Sequence, residues 1–449
     1  MGQLTEARLG SVRMLIQSAP DHVVRSLDAM LASSAEHSEA MRLIQRLVML
    51  EMADRRARQA VFMPLVPLFT PLRASFIGLQ FPPAALKRLW RAVKREAPRD
   101  AETAIAAAHD FASQAVPAGL YDELCAIAAA GLRAGANEDY VAAAAILDKA
   151  APDGAALFAS HLDLAKVARA ALERMPDWLG RLNEDRIVAA RLTFRDAVAV
   201  AEDAGPRLLE ILYAHLEEPW GVLRLISAVM HRPADQYVAQ SELAVFGERL
   251  LNDIEERVKL VSSFQADRGA EAGQEAGEAV RIAALEIQEF DETLELSPQG
   301  PWGSRLVHQK RSLAQAIEAR LKAAEAETAA ALPVQSTAYK RGPRGQPRLT
   351  TDPDQRHVNR ARALLTLLHG VRGSAERLGF GSAWDRTSES IQARLGPYVE
   401  DLLDKLRQDE PEENHVRVRL YLDIAAEFLG LASEEKAAQI VRRRVAAAA

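Results

Sequence analysis

The chain has 449 residues, of which 49% are hydrophobic, 5% aromatic and 26% charged, with a formal net charge of −6. That is about three ordinary domain lengths, so two or three domains or one long helical array are expected. A single cysteine, Cys125, excludes a disulfide framework or a cysteine-based zinc site within one chain, and it reads as a small buried hydrophobe.

Ala, Leu, Glu and Arg dominate, and these lose little side-chain entropy in a helix. No run of alternating β-branched residues with a hairpin signal appears, so the fold class is all-α, a multi-domain array of irregular helical hairpins. Arg outnumbers Lys 46 to 10, in keeping with a GC-rich bacterial genome. The first residues lack a basic start and apolar core, and no 18-residue apolar run follows. A soluble cytoplasmic protein is expected. Charge is uneven: residues 51–100 carry ten Lys and Arg against four Asp and Glu, whereas residues 201–300 carry eight against twenty.

In chain order, residues 4–60 read as two or three amphipathic helices, with Asp21 after Pro20 as an N-cap. A helix over 38–61 has a wide apolar face of Met41, Leu43, Ile44, Leu47, Val48, Leu50 and Met52, which predicts a core element. Residues 61–83 interleave Phe62, Phe69, Phe76 and Phe81 with five prolines, which no regular helix accommodates. Residues 83–98 follow as a helix with Leu86, Leu89, Trp90 and Val93 on one face. Lys87, Arg88, Arg91, Lys94 and Arg95 lie opposite. Such a basic amphipathic helix beside an apolar loop suits an anionic membrane surface or an acidic partner. The alternative is a surface helix packing its Trp90 stripe inward with solvated charges. Nucleic acid is disfavoured by the short patch and the acidic chain.

Residues 100–180 predict compact Ala-rich helices, and residues 184–264 four more, with Pro206 and Pro219 in first turns. No fixed repeat period appears. Residues 265–279 read as a loop or weak helix, and a helix over 304–331 looks solvent-facing in its second half. Residues 333–353, with Lys340, Arg341, Arg344 and Arg348 among Gly and Pro, read as a flexible basic linker. The expected domains are therefore an N-terminal region over 1–100, a helical array over 101–332, the linker, and a C-terminal bundle over 354–449.

One stretch interrupts this helical sequence with a chemically suggestive cluster: Leu368-His369-Gly370-Val371-Arg372-Gly373-Ser374. His369 followed at three and four residues by a cation and a glycine resembles the motif of histidine-containing phosphotransfer domains. The resemblance implies that His369 accepts a phosphoryl group from a receiver domain, with Arg372 near the phosphate and Gly373 leaving room for the partner. Those three positions would share one helical face. The sequence departs from the family in having Arg where Lys is usual, Val371 where Leu or Ile is usual, and an extra Gly370.

The remaining histidines carry less. Glu412 with His415 is a single Glu-x-x-His pair where a di-iron bundle needs two, and His161 with Asp163 or His109 with Asp110 lack a third ligand. No hydrolase, P-loop or dinucleotide signature is present. No cofactor or metal is expected. These features predict a non-enzymatic bacterial scaffold or adaptor that binds protein partners through helical surfaces. Phosphotransfer through His369 and membrane association through residues 61–98 are the alternatives.

Overall fold

The computed structural model describes residues 6–33, 39–74, 76–109, 116–117, 119–180, 183–230, 233–335, 346–408, 412–433 and 435–448. The fold is all-α, as expected. The chain forms two compact units, Met1–His231 and Arg232–Ala449.

The first unit contains α1 (Glu6–Ser18), α2 (Asp21–Ser33), α3 (Glu39–Val61), α4 (Pro83–Glu96), α5 (Pro98–His109) and α6 (Leu120–Ala134). It continues with α7 (Glu138–Ala150), α8 (Gly154–Asp163), α9 (Ala165–Leu179), α10 (Glu184–Val200), α11 (Ala204–His215) and α12 (Val222–Val229). Local chemistry sets several starts. Asn137 accepts from the amides of Asp139 and Tyr140, and Asn183 from that of Arg186, so each satisfies donors that a first turn leaves open. Pro83 begins α4, where a missing N–H costs nothing.

The proline-rich segment is the centre of this unit's core, not its surface. Met63–Leu68 winds into a 3-10 turn containing Pro64 and Pro67, since the tighter turn needs fewer of the donors that proline removes. Phe62, Phe69, Phe76 and Phe81 are all buried. Phe69 and Phe81 meet the Phe158 ring edge-on at 5.0 and 5.1 Å, and Phe62 meets Trp90 at 6.3 Å. Surrounding helices satisfy the irregular backbone. Arg169 donates to the carbonyls of Ala60 and Val61, and His215 Nε2 donates to that of Pro64 at 3.0 Å. The Leu79 amide donates to Glu210 Oε1 at 2.7 Å, and Arg73 donates to the carbonyls of Tyr213 and Leu216 at the end of α11.

The second unit contains α13 (Asp235–Val238), α14 (Ala244–Ser263), α15 (Ala270–Thr293), α16 (Pro301–Ala331), α17 (Gln355–Val371), α18 (Gly381–Leu406), α19 (Glu412–Ala432) and α20 (Glu435–Ala448). Helix α17 packs against α15, α16 and α19, so the C-terminal helices share one core with those before them. One expectation is decided and another corrected here. Of the stretch read as a loop or weak helix, residues from Ala270 onward form the start of α15, where Gly273 and Gly277 let α17 approach: a Cβ at Gly273 would lie 2.2 Å from the Ala363 carbonyl oxygen, and one at Gly277 3.3 Å from the Gly370 Cα. The second half of α16 is not solvent-facing, because Leu321, Ala324, Thr328 and Ala331 are buried.

Residues 333–353 fall within the second unit, and the two units divide at 231/232. Val334–Gln335 pairs antiparallel with Gln346–Pro347, and Tyr421 Oη donates to the Thr351 carbonyl. Arg417 reaches Asp352 and the Leu349 carbonyl, so the tether is held by polar contacts to α19. Lys340, Arg341 and Arg344 lie outside the described residues.

Candidate functional site

Helix α4 forms as its pattern predicts. Leu86, Leu89, Trp90 and Val93 are buried, and the cations lie on the other side. Most of those cations find carboxylates within the first unit. Arg88 reaches Asp139 at 3.2 Å, and Arg95 reaches Glu138 at 2.8 Å and Asp139 at 3.1 Å. Lys94 bonds Asp54 at 2.7 Å, and the Trp90 Nε1–H donates to the same oxygen at 3.1 Å. Lys87 and Arg91, one turn apart and exposed, make no such pair among the described residues.

These two face a cleft of about 100 Å³ between α3 and α4, whose lining includes Glu51, Asp54, Arg55, Arg58 and Lys94. Arg55 is buried and fully engaged, with Asp21, with Glu51 at 2.7 Å, and with the carbonyls of Ile16 and Ala19 that end α1. Arg58, by contrast, is half-buried and forms no hydrogen bond or ion pair among the described residues. Burial lowers its pKa while Asp21 and Asp54 pull the other way. Arginine keeps its charge in any such setting, so the cleft holds a half-buried cation that carboxylates influence at a distance without a direct hydrogen bond.

A second depression of about 250 Å³ shares Gln17, Glu51, Asp54 and Lys94 with the first and is otherwise lined by Arg13, Ile16, Leu47, Leu50 and Ile105. The two form one trough, of mixed apolar and polar lining at one end and mainly cationic at the other. Around it the N-terminal helices bury little: Ile16, Val24 and Val48 make a small cluster, while Met14, Leu15 and Met30 are 67%, 68% and 68% exposed. This corrects the expected core face of α3, of which Val48 is buried but Leu43 and Leu50 are exposed. A face that wide exceeds what one short helical layer can cover. Its excess width, together with Arg55-Arg56-Ala57-Arg58 on the same helix, was the sequence signal for Leu47, Leu50 and Arg58.

The membrane reading loses its apolar contact. Phe62, Phe69, Phe76, Phe81 and Trp90 lie in the core, and Arg88, Lys94 and Arg95 are ion-paired to the protein itself.

His369 stands exposed in the last turn of α17, and open space surrounds Gly373. The third member differs from expectation. Helix α17 ends at Val371, and Arg372–Ser374 turns as a 3-10 segment, so the three residues do not share an α-helical face. The Arg372 guanidinium donates to the Ser433 carbonyl at 3.2 Å and lies 5.6 Å from the Trp384 ring centre. Two glycines beside the histidine explain the early end: Gly370 is needed for the crossing with Gly277.

Among the described residues no group of three or more His, Cys, Asp or Glu side chains is placed to hold a metal ion. His161 is buried and donates through Nδ1 to the Leu157 carbonyl at 2.8 Å, while Asp163 pairs with Arg133. His415 Nε2 lies 3.0 Å from the Gln408 carbonyl oxygen. The Glu412 side chain and Asp110 lie outside the described residues. Among the described residues no helix is long and apolar enough to cross a membrane. No protein-family model, curated protein or solved structure matches this chain.

Proposed function

We propose that the protein is a non-enzymatic adaptor that binds a segment of another protein in the trough between α1, α3 and α4. The partner segment presents apolar side chains to Leu47, Leu50 and Ile105 and an anionic group to the cationic end. The observation that carries this reading is the continuity of the two depressions, which share four lining residues while differing in character. Binding surfaces place an apolar anchor beside polar groups that orient it, and exposed Met side chains adapt to varied partners. Each depression is smaller than the roughly 300–1,000 Å³ of an enclosed small-molecule site, which suits recognition of protruding side chains.

The test is selection of a displayed random-peptide library on the intact protein. The expected result is a consensus pairing apolar with acidic positions and lost on the exposed-site change Leu50→Glu. Failure to obtain a consensus, or one indifferent to Leu50→Glu, would sink the reading.

The exposure of His369 supports a second reading, phosphotransfer, in which the imidazole acts while the Arg372 guanidinium is bonded to the Ser433 carbonyl. Incubation with phosphorylated receiver domains separates the two. Acid-labile label that disappears in His369→Ala would establish a relay, and absence of label leaves the adaptor.

A further inference from the structure

The cationic end of the trough has more positive charge than the protein itself balances. Arg55, Arg58, Lys87, Arg91 and Lys94 line it, against Glu51 and Asp54. Asp21, paired to Arg55 just outside, supplies one further negative charge. The excess is two positive charges, and it resides on Arg58, Lys87 and Arg91, which have no hydrogen-bonded carboxylate among the described residues. The carboxylates present are already committed: Glu51 to Arg55, and Asp54 to Lys94 and the Trp90 indole.

We infer that this cleft is a phosphoryl-binding site that takes a phosphomonoester dianion between Arg58 of α3 and Lys87 and Arg91 of α4. Three properties favour that group over a carboxylate. A phosphomonoester carries about −1.5 to −2 charges at neutral pH, which matches the excess, whereas a carboxylate would leave about half of it. Its three terminal oxygens can each accept from a different one of the three cations. The cleft is also the smaller of the two depressions, about 100 Å³, and has room for one tetrahedral oxyanion. The site is also built before any ligand arrives. Arg55 is locked by four partners at the floor, and Lys87 and Arg91 project from consecutive turns of a helix whose other face is anchored by the buried Trp90.

This inference deepens the adaptor reading by assigning the anionic group of the partner segment, yet it can fail separately. The experiment is calorimetric titration of the full-length protein with inorganic phosphate at pH 7.5. Sodium acetate at matched ionic strength is the reference. Saturable phosphate binding is expected, with Kd at least tenfold weaker in Lys87→Gln/Arg91→Gln. Both residues are exposed, so the variant keeps the fold. The control Arg99→Gln/Arg195→Gln removes the same charge elsewhere on the first unit and is expected to bind as the parent does. A parallel arm uses a short peptide carrying phosphoserine beside two leucines. Binding at least tenfold tighter than phosphate identifies a phosphorylated protein segment as the source, and equal binding identifies a free phosphomonoester. Phosphate binding that is non-saturable, no better than acetate, or unchanged in Lys87→Gln/Arg91→Gln would overturn the inference. Peptide selection that persists without any phosphate binding would leave the adaptor reading standing and remove this one alone.

Discussion

The Nη2 of Arg169 on α9 donates to the Val61 carbonyl at 2.8 Å, at the point where α3 gives way to the proline-rich core segment. The same guanidinium reaches the Ala60 carbonyl at 3.2 Å and Asp122 at 3.2 Å, and the Cys125 thiol donates to Val61 from the other side at 3.3 Å. One side chain thus closes a helix end that has no continuing turn to satisfy it.

Removing that closure takes the guanidinium donors from the Ala60 carbonyl and Asp122 and leaves the Val61 carbonyl with the weaker Cys125 thiol. Arg169→Ala is expected to lower the stability of the first unit by about 2–4 kcal/mol, since hydrogen bonds to charged groups contribute ~1.5–3 kcal/mol. Arg169→Lys cannot serve both carbonyls and Asp122 and should recover only part of the loss. Urea denaturation followed by hydrogen exchange over residues 55–85 checks this, and parent-like exchange in Arg169→Ala would refute it.

The crossing of α15 and α17 predicts contrasting glycine effects. A Cβ at Gly273 would meet the Ala363 carbonyl oxygen at 2.2 Å, and backbone cannot swing aside as a side chain can. Gly273→Ala should destabilise the second unit by about 1–3 kcal/mol through overpacking, despite the better helix propensity of alanine. Gly373→Ala meets nothing within 4 Å and should lie within about 0.5 kcal/mol of the parent. Equal melting temperatures for the two variants would contradict the close crossing.

Acid should stabilise the second unit through Glu286. Its side chain is fully buried, among the described residues neither carboxyl oxygen accepts a hydrogen bond, and Arg257 lies 3.8 Å away. Burial first, then Asp253, raises its pKa well above the usual carboxylate range, with Arg257 opposing. The folded unit therefore binds a proton more tightly than the unfolded chain. The stabilisation is complete below the unfolded value of about 4.3 and is lost as pH rises through the folded pKa, at about 1.4 kcal/mol per unit of difference. Glu286→Gln should abolish this dependence and melt higher than the parent at pH 8. Parallel melting curves for parent and variant from pH 5 to 8 would count against it.

The first unit should respond in the opposite sense. Burial lowers the pKa of both His161 and His215, so the unfolded chain binds protons more readily than the fold does. Stability present above about pH 6.5 is lost as pH falls toward the folded values. His161→Asn and His215→Gln keep a donor near the Nδ1 and Nε2 positions, respectively, without the titration. Each is expected to flatten the loss between pH 7.5 and 5. Hydrogen exchange resolved by unit reads the two trends separately, and a parent whose first unit is equally protected at both pH values would refute the assignment.

Much of the backbone was legible from local chemistry. Helix formers at 3.6-residue spacing, prolines in first turns and the broken pattern over 61–83 dictate an all-α chain, because these effects act within a few residues. The burial pattern of α4 followed from the spacing of Leu86, Leu89, Trp90 and Val93. Tertiary structure decided what each face meets. Phe62 to Phe81 read as exposed or buried with equal ease until Phe158, Tyr213 and Trp90 closed around them, since apolarity says that a group avoids water but not where it hides. Arg88, Lys94 and Arg95 became ion-pair partners, and Lys87, Arg91 and Arg58 a cleft, only because Asp139, Glu138 and Asp54 came from other helices. Gly370 and Gly277, 93 positions apart in sequence, are intelligible only as a crossing. Periodicity within one helix therefore determined the elements, whereas the candidate site arose from charges that packing brought together and left unbalanced.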